Sequence, residues 1–440
     1  MLLETRGKET QVVPEFVYKE RLPNGLRVLV HEMPWAQSVS ARLLIQAGPR
    51  YEEESGDKTT IGCAHYLEHM FFEGSQNYPS RRDLDRAVEG RGGDHSAYTD
   101  KEYVMYQAKL PSEHADFATA FVRELAFNPL MLEEAVAREK GIITAELRRS
   151  IDNPSQQRWN LLREFVWKGH PLGHNTLGTF DSIQAINRDD LIAYHQRFYR
   201  PDNAILVIAG NTTRSQAVDM ATRDFGDLRA NPQLGVEVPP PIFTELAPRV
   251  FIENKDLKET HALLAFSTEG RGETHPQLPK VQVLARMLRN SIFHKFVYDL
   301  GISYSAGCWP WLVSDNGSIV IAAGVAPERT EEAIEAMVSE VNSLKVTDES
   351  VGEAKEALKG ELTLNLADTD DYAHFIGEQE LYGGKVRSPE QVKARIDSVT
   401  PTEIDNLRKG LITNRTAALV LLGPVSTDKT EVFEEKLQFV

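Results

Sequence analysis

The segment 61–72, IGCAHYLEHMFF, contains side chains that can bind a metal ion and move a proton. His65 and His69 are four residues apart, so on a helix both imidazoles lie on one face, about 6 Å apart at Cβ. Glu68 projects from the same side and completes the pattern His-x-x-Glu-His, the inverse of the His-Glu-x-x-His zinc helix. This spacing indicates a metal site with a carboxylate beside it.

These residue types suit hydrolysis assisted by zinc. A catalytic zinc ion takes three protein ligands and keeps one position for water. The metal lowers the pKa of that water to near 7. A carboxylate that does not bind the metal can take the water's proton and return it to a leaving amine. Glu68 suits this role of general base and acid.

The two histidines supply only two of the three protein ligands that a catalytic zinc takes. A second predicted helix, about 133–150, offers two candidates for the third ligand. Glu139 and Glu146 are seven residues apart and therefore share a helix face. Either could be the third ligand, while the other could orient an imidazole through a hydrogen bond. The spacing does not choose between them, and solvated helix charges are the simpler alternative.

The elements that must position these residues alternate between strand-like and helix-like patterns. Strands are predicted at 26–30, 39–47, 103–110 and 204–210 from alternating or continuous apolar residues. The zinc-type helix is predicted over about 61–73, with Thr59 or Thr60 as its N-cap and Gly74 as its C-cap. Strands mixed with runs of helices predict an α+β fold.

The chain divides into two nearly equal parts at a proline-rich segment, 230–248. We therefore predict a zinc-bearing N-terminal domain over 1–229 and a homologous C-terminal domain over 249–440 that lacks the zinc motif. An amphipathic helix followed by an apolar strand ending in glycine occurs in both parts. One constant offset places Phe198 on Leu411 and Gly210 on Gly423, which indicates duplication.

Composition limits the remaining possibilities. The 440 residues carry a formal net charge of -16, the wrong sign for binding a phosphate backbone, so we expect no nucleic-acid partner. The two cysteines cannot form a disulfide framework. The apolar runs are shorter than the ~20 residues of a membrane helix, and the first residues lack the apolar core of a signal peptide. These observations predict a cytoplasmic protein without a membrane span.

With these motifs in hand, the sequence resembles the pitrilysin, insulin-degrading enzyme and mitochondrial processing peptidase family of zinc metallopeptidases, in its short-chain branch. The resemblance covers most of the chain. The matching residues, in chain order, are Asn24-Gly25, Arg50-Tyr51-Glu52, Gly62-x-Ala64-His65-x-Leu67-Glu68-His69-Met70, Gly92-Gly93, Ala97-x-Thr99, Arg138-Glu139-Lys140-x-Ile142-Ile143-x-x-Glu146, Gly169-His170-Pro171 and Pro201-x-Asn203.

The resemblance implies an assignment for each candidate residue. The family places its third zinc ligand at a fixed distance after the second histidine, which falls on Glu146 here, and its supporting glutamate falls on Glu139. Glu68 is then the catalytic base, and Zn²⁺ the cofactor. The resemblance also implies two homologous domains, each a mostly antiparallel sheet packed with helices, that enclose a chamber for a peptide substrate.

Two positions depart from the family pattern. Ser96 stands where the family usually has an asparagine that helps to hold the substrate backbone. Tyr304 matches a substrate-binding tyrosine of the second domain, but the arginine expected seven residues earlier is Val297. Some members of this branch divide these parts between two homologous subunits.

We therefore predict that this protein is the zinc-bearing subunit of a heterodimeric endopeptidase, whose homologous partner supplies the arginine. The alternatives are a self-sufficient homodimeric peptidase, a non-catalytic structural or assembly subunit, and a maturase that trims one precursor peptide. The intact His65, Glu68, His69 and Glu146 argue against the non-catalytic subunit.

Overall fold

The structure is a computed structural model that describes residues 16–55, 58–231, 249–272 and 276–439. The predicted linker, 230–248, lies outside these residues except for its first two. The domain boundaries at 229 and 249 therefore stay a prediction.

The first half of the described chain forms a six-stranded sheet. Its strands are joined in the order β1-β2-β8-β3-β7-β6, in which only the β2–β8 pair is parallel, while β4 and β5 form a separate small hairpin. The strands are β1 (Tyr18–Arg21), β2 (Arg27–Glu32), β3 (Ser38–Ile45), β4 (Glu54–Ser55), β5 (Lys58–Thr59), β6 (Asp94–Thr99), β7 (Val104–Pro111) and β8 (Ala204–Gly210). The helices are α1 (Cys63–Phe71), α2 (Arg81–Glu89), α3 (Ala115–Phe127), α4 (Glu133–Asp152), α5 (Pro154–Val166), α6 (Phe180–Ala185), α7 (Arg188–Phe198) and α8 (Arg214–Phe225).

The second half repeats this plan with five strands, joined in the order β11-β12-β10-β13-β9, and again has one parallel pair, β13–β9. The strands are β9 (Val250–Asn254), β10 (Thr260–Thr268), β11 (Gly307–Leu312), β12 (Gly317–Val325) and β13 (Ala417–Gly423). The helices are α9 (Leu278–Phe293), a π-helical segment (His294–Asp299), α10 (Thr330–Ser343), α11 (Asp348–Leu364), α12 (Thr369–Gly383), α13 (Pro389–Asp397), α14 (Pro401–Leu411) and α15 (Thr430–Lys436). The predicted two-domain α+β fold with mostly antiparallel sheets is confirmed.

The internal repeat extends over most of both halves. The bounds of β6, β8 and α7 coincide with those of β11, β13 and α14 under the same offset that places Gly210 on Gly423. Strands β3 and β10 correspond only under a larger offset, which places Ser38 on Thr260. The connection from β3 to β6 is therefore longer than the one from β10 to β11, and this longer connection contains the zinc-type helix α1.

Each half contributes one helix that packs against the sheet of the other half. Helix α12 of the second half packs across β3 and β8 of the first sheet, where Ala373 and Ile376 are fully buried. Helix α5 of the first half packs against β10 and β13 of the second sheet through Leu161, Leu162 and Val166. Each sheet therefore needs a helix from the other half to cover one of its faces.

This exchange explains the continuous apolar runs of β8 and β13. Side chains alternate between the two faces of a strand. In β8, Leu206 and Ile208 point into the core formed by helices of the first half, whereas Ile205 and Val207 point toward α12. Both faces are buried, so no polar alternation remains. No helix within the described part of the chain is long and apolar enough to cross a membrane.

Candidate active site

Helix α1 begins without a capping side chain of its own. Its N-cap is Gly62, at φ 97°, so the predicted caps Thr59 and Thr60 are wrong. The carboxylate of Glu52 performs the capping instead, because its two oxygens accept hydrogen bonds from the backbone N–H groups of Gly62 and Ala64, each over 2.9 Å. An anion placed at this point also interacts favourably with the helix dipole.

Glu52 is fully buried, and burial raises the pKa of its carboxyl group to about 7 against the opposing effect of the two backbone hydrogen bonds. Sequence reasoning recognised this residue only as part of the family pattern. Its isolated position in a loop gives no periodic signal that would have indicated a cap.

The two histidines of α1 face one carboxylate of α4. Their ring centroids are 4.7 Å apart. His65 Nε2 lies 3.8 Å from Glu146 Oε1, and His69 Nε2 lies 3.4 Å from Glu146 Oε2. One ligand atom from each of these three residues lies within 4.8 Å of the other two. The opposite face of α1, with Cys63, Tyr66, Leu67 and Met70, is fully buried, which fixes the direction of the imidazoles.

Glu139 occupies a different place from Glu146, although both lie on the same face of α4. Glu139 is buried and accepts a hydrogen bond from Nδ1 of His69 over 2.9 Å. The side chain of Glu146 is 39% exposed and faces the Nε2 atoms. With Nδ1 of His69 engaged by Glu139, its Nε2 is directed into the space shared with His65 and Glu146.

Charges in this cluster are strongly perturbed. Burial and the neighbouring His69 lower the pKa of His65 to about 4. Burial also disfavours charge on His69, but hydrogen bonds and attraction from Glu139 and Glu146 outweigh this effect and raise its pKa to about 9. The hydrogen bond from His69 in turn holds the pKa of Glu146 below its usual value. In the metal-free chain, the His69 imidazolium therefore compensates the two carboxylates.

Glu68 lies beside this cluster and contacts strand β6. Its Oε2 accepts a hydrogen bond from the Thr99 hydroxyl over 2.6 Å. Burial raises the pKa of Glu68, although Thr99 and His69 act in the opposite direction. Strand β6 is the edge strand of its sheet, so Thr99 connects the edge of the sheet to the carboxylate.

Among the described residues, no hydrogen bond joins the two substrate-binding candidates, Ser96 and Tyr304, to the cluster of potential metal ligands. The Ser96 hydroxyl on β6 donates to Gln107 Oε1 of β7 over 2.9 Å. Tyr304 is 89% exposed, and among the described residues no hydrogen bond or ring contact joins it to α1 or α4. Val297 lies in the π-helical segment of the second half, half-buried.

The residues fit a divalent zinc ion. Two neutral imidazole nitrogens and one carboxylate oxygen form a donor set typical of catalytic zinc. A metal-binding histidine ordinarily donates a hydrogen bond from its other ring nitrogen, and for Nδ1 of His69 the acceptor is Glu139. In the part of the chain that the structure describes, His65, His69 and Glu146 are the group of potential ligands whose donor atoms come this close together.

Comparison with known proteins identifies the family of the chain. The model of the insulinase family, peptidase family M16, matches residues 27–180, and the model of the M16 inactive domain matches residues 185–358. The chain belongs to peptidase family M16. Under the offset that places Ser38 on Thr260, the positions of His65, Glu68 and His69 on α1 fall on Met287, Asn290 and Ser291 of α9, so these positions of α9 do not repeat the zinc motif.

Relatives and solved structures share nearly the whole chain. An uncharacterised zinc protease of Mycobacterium leprae is 27% identical over 423 residues, which cover 94% of this chain and 93% of the relative. A protease from Helicobacter pylori has the same fold, with a TM-score of 0.83 at 19% identity over 93% of this chain and 100% of that one. The periplasmic protease PqqL from Escherichia coli matches 96% of this chain with 50% of its own length, at a TM-score of 0.78 and 18% identity.

Proposed function

We propose that this M16 protein is a zinc-dependent endopeptidase that cleaves peptides or unfolded segments. The observation that carries the proposal is the meeting of His65, His69 and Glu146 around one point, with Glu68 beside them. His65 and His69 through Nε2, and Glu146 through its carboxylate, would hold the metal. When bound, zinc would polarise the scissile carbonyl and acidify the attacking water.

The chain's own residues supply the proton transfers. A Glu68 oxygen takes the proton from the attacking water and then gives it to the nitrogen of the leaving amine. The Thr99 hydroxyl holds the carboxylate in place for both transfers. Glu139 fixes the His69 ring through Nδ1.

The substrate backbone would bind along β6 as an added strand. This strand pairs with β7 on one side, and no other described strand pairs with its outer edge. A sheet edge presents backbone donors and acceptors to an extended peptide. Because β6 ends at Thr99, a peptide aligned with it is led toward Glu68. Ser96, on the same strand, replaces the family's asparagine in holding that peptide.

Metal analysis combined with Glu68→Gln tests this function. We expect about one zinc per chain, and Glu68→Gln should retain zinc but lose peptidase activity by a factor of about 10²–10⁴. Glu134→Gln, an exposed position on α4, is the matched control and should behave like the wild type. Turnover by Glu68→Gln at the wild-type rate would refute the assigned base.

We further propose that the active form is a heterodimer in which a homologous subunit supplies an arginine near the scissile carbonyl. Val297 occupies the position of that arginine, and the nearby Tyr304 is exposed on the second half. This chain matches only half of the length of PqqL, so the PqqL chain is long enough for two units of this size, and a pair of subunits would have the same size.

Reconstitution tests the pairing. The chain alone should cleave a fluorogenic peptide slowly and gain activity when a homologous chain that lacks the zinc motif but carries the Arg–Tyr pair is added. Gel filtration should show a 1:1 complex. Full activity of the chain alone would instead favour the self-sufficient homodimer.

A further inference from the structure

The tip of the hairpin between β11 and β12, residues 313–316, reaches from the second domain into the first. Asp315 forms a bidentate ion pair with Arg50, with Nη1–Oδ1 and Nη2–Oδ2 distances of 2.8 and 2.5 Å. Ser314 binds Glu102, since its backbone N–H donates to Oε2 over 2.8 Å and its hydroxyl to Oε1 over 2.5 Å. Arg50 and Glu102 are themselves paired at 2.9 Å and are both buried.

The tip is held firmly by its own domain. Val313 O accepts from the backbone N–H of Arg271 over 2.9 Å, and Ser314 O accepts from Gly272 N–H over 2.8 Å. A Cβ on Gly270 would lie 2.5 Å from backbone atoms of Ser314, Asp315 and Asn316, so the two segments approach as closely as the backbone allows. The position of the tip therefore follows that of the second domain.

In the first domain, the tip binds two segments that also contact each other. Arg50 belongs to the segment 48–52 after β3, and Glu102 to the turn between β6 and β7. The Arg50 backbone N–H donates to Lys101 O over 2.9 Å. A Cβ on Gly48 would lie 2.5 Å from both Asp100 O and Lys101 O, which only glycine avoids.

Each of these two segments continues into a contact with helix α1. Two residues after Arg50, Glu52 caps the first turn of α1 at Gly62 and Ala64. Three residues before Glu102, Thr99 holds the carboxylate of Glu68. The cap on α1 and the hydrogen bond to Glu68 therefore both come from segments that contain a residue bound by the second domain. That residue is Arg50 in one segment and Glu102 in the other.

We propose that Asp315, with Ser314, is a positioning element of the zinc site, contributed by the domain that supplies none of the three proposed ligands. The tip fixes Arg50 and Glu102, and through them the cap on α1 and the support of Glu68. Asp315 acts through other residues and contacts neither the metal ligands nor Glu68. This inference rests on the proposed zinc-peptidase function.

Substitution of Asp315 in the full-length chain tests the inference. Asp315→Asn keeps the size of the side chain but removes one of the two negative charges paired with buried Arg50. We expect the zinc dissociation constant, measured by competition with a chromogenic chelator, to rise by about tenfold, the lower end of the range for residues that hydrogen-bond metal ligands directly, because Asp315 acts through further residues. Asp315→Glu restores the charge and should recover most of the affinity.

A second tip residue provides the matched control. Asn316 also crosses to the first domain, where its Oδ1 accepts from Trp167 Nε1 over 2.9 Å, but it contacts neither Arg50 nor Glu102. Asn316→Ala should lower the melting temperature of the metal-free chain while leaving the zinc dissociation constant within about twofold of wild type. A purely structural role for Asp315 would give the same result for Asp315→Asn.

The outcomes separate the inference from the proposed function. Failure of the wild type to bind zinc would refute the function itself. Zinc binding by the wild type with an unchanged dissociation constant in Asp315→Asn would overturn the inference alone. If Asp315→Asn does not fold, Ser314→Ala decides, because it loses only the hydroxyl that contacts Glu102 and Arg50. Weaker zinc binding then supports the inference, and wild-type binding overturns it.

Discussion

The Thr99 hydroxyl donates a hydrogen bond to Glu68 Oε2 over 2.6 Å and so joins the last residue of an edge strand to the proposed general base. Glu68 is half-buried, and burial disfavours its ionised form. A hydrogen bond to the ionised form favours it. Thr99 therefore keeps the carboxylate both oriented and available as a base.

Replacement of Thr99 by valine removes this donor with little change in shape. A hydrogen bond to a charged group contributes about 1.5–3 kcal/mol, so we expect kcat to fall by about tenfold or more. The pKa of Glu68 should rise further, which moves the acidic limb of the pH–rate profile upward. Steady-state kinetics from pH 5 to 9 measures both effects.

Thr99→Ser is the control for the threonine substitution, because it keeps the hydroxyl and loses only a methyl group. It should retain most of the activity, and both variants should retain zinc. A wild-type pH profile in Thr99→Val would show that the hydrogen bond does not tune the base.

The convergence of the two histidines could be predicted from sequence because helix geometry alone fixes residues four apart. The choice between Glu139 and Glu146 could not be derived from spacing. Both lie on one face of α4, and only the way α1 crosses that helix places Glu139 at Nδ1 of His69 and Glu146 at the Nε2 atoms. Resemblance to a family supplied an answer that periodicity lacked.

The exchange of α5 and α12 was missed for a related reason. An amphipathic helix shows that one of its faces is buried but not which sheet covers it. A usable signal was present in the continuous apolar strand Ala204–Gly210, since a strand without polar alternation needs cover on both faces. The cap by Glu52 left no such trace, because it depends on backbone atoms ten and twelve residues away.

Neutralising Glu139 should weaken zinc binding without removing a ligand. In Glu139→Gln an amide oxygen can still accept from His69 Nδ1, but the negative charge that makes the imidazole a stronger ligand is lost. We expect the zinc dissociation constant to rise by about 10-fold to 100-fold. Chelator competition measures it, with Glu134→Gln on the exposed side of the same helix as the control. Equal affinity in both variants would contradict the orienting role.

Zinc binding should depend on pH through His69. The pKa of this imidazole is about 9 in the metal-free chain, and a ligand must be deprotonated. Below pH 9, binding therefore expels about one proton from His69, and the apparent affinity should rise about tenfold per pH unit between 6 and 8. Calorimetry in buffers of different ionisation enthalpy measures the released proton. His65, with a pKa of about 4, is already neutral in this range.

The same shift makes the metal-free chain less stable in alkali. A folded-state pKa above the unfolded value of about 6.5 contributes stability that is complete below pH 6.5 and is lost as the pH rises through about 9. Glu139→Gln should flatten this part of the curve of melting temperature against pH.

A zinc affinity that does not change between pH 6 and 8 would contradict the predicted pH dependence of zinc binding, because it would show that His69 is neutral before the metal binds.

The exchanged helices should make the two domains unfold together. Ile376 of α12 is fully buried against the first sheet, although it belongs to the second half of the chain. Ile376→Ala leaves a cavity and should lower the free energy of unfolding by about 2–5 kcal/mol. Because the first sheet loses cover, signals from both domains should shift to the same lower urea concentration. Leu364→Ala, at a side chain 79% exposed, is the control and should change stability by less than about 0.5 kcal/mol. Two separate transitions, of which Ile376→Ala moves only one, would show that each domain folds without the helix it receives from the other.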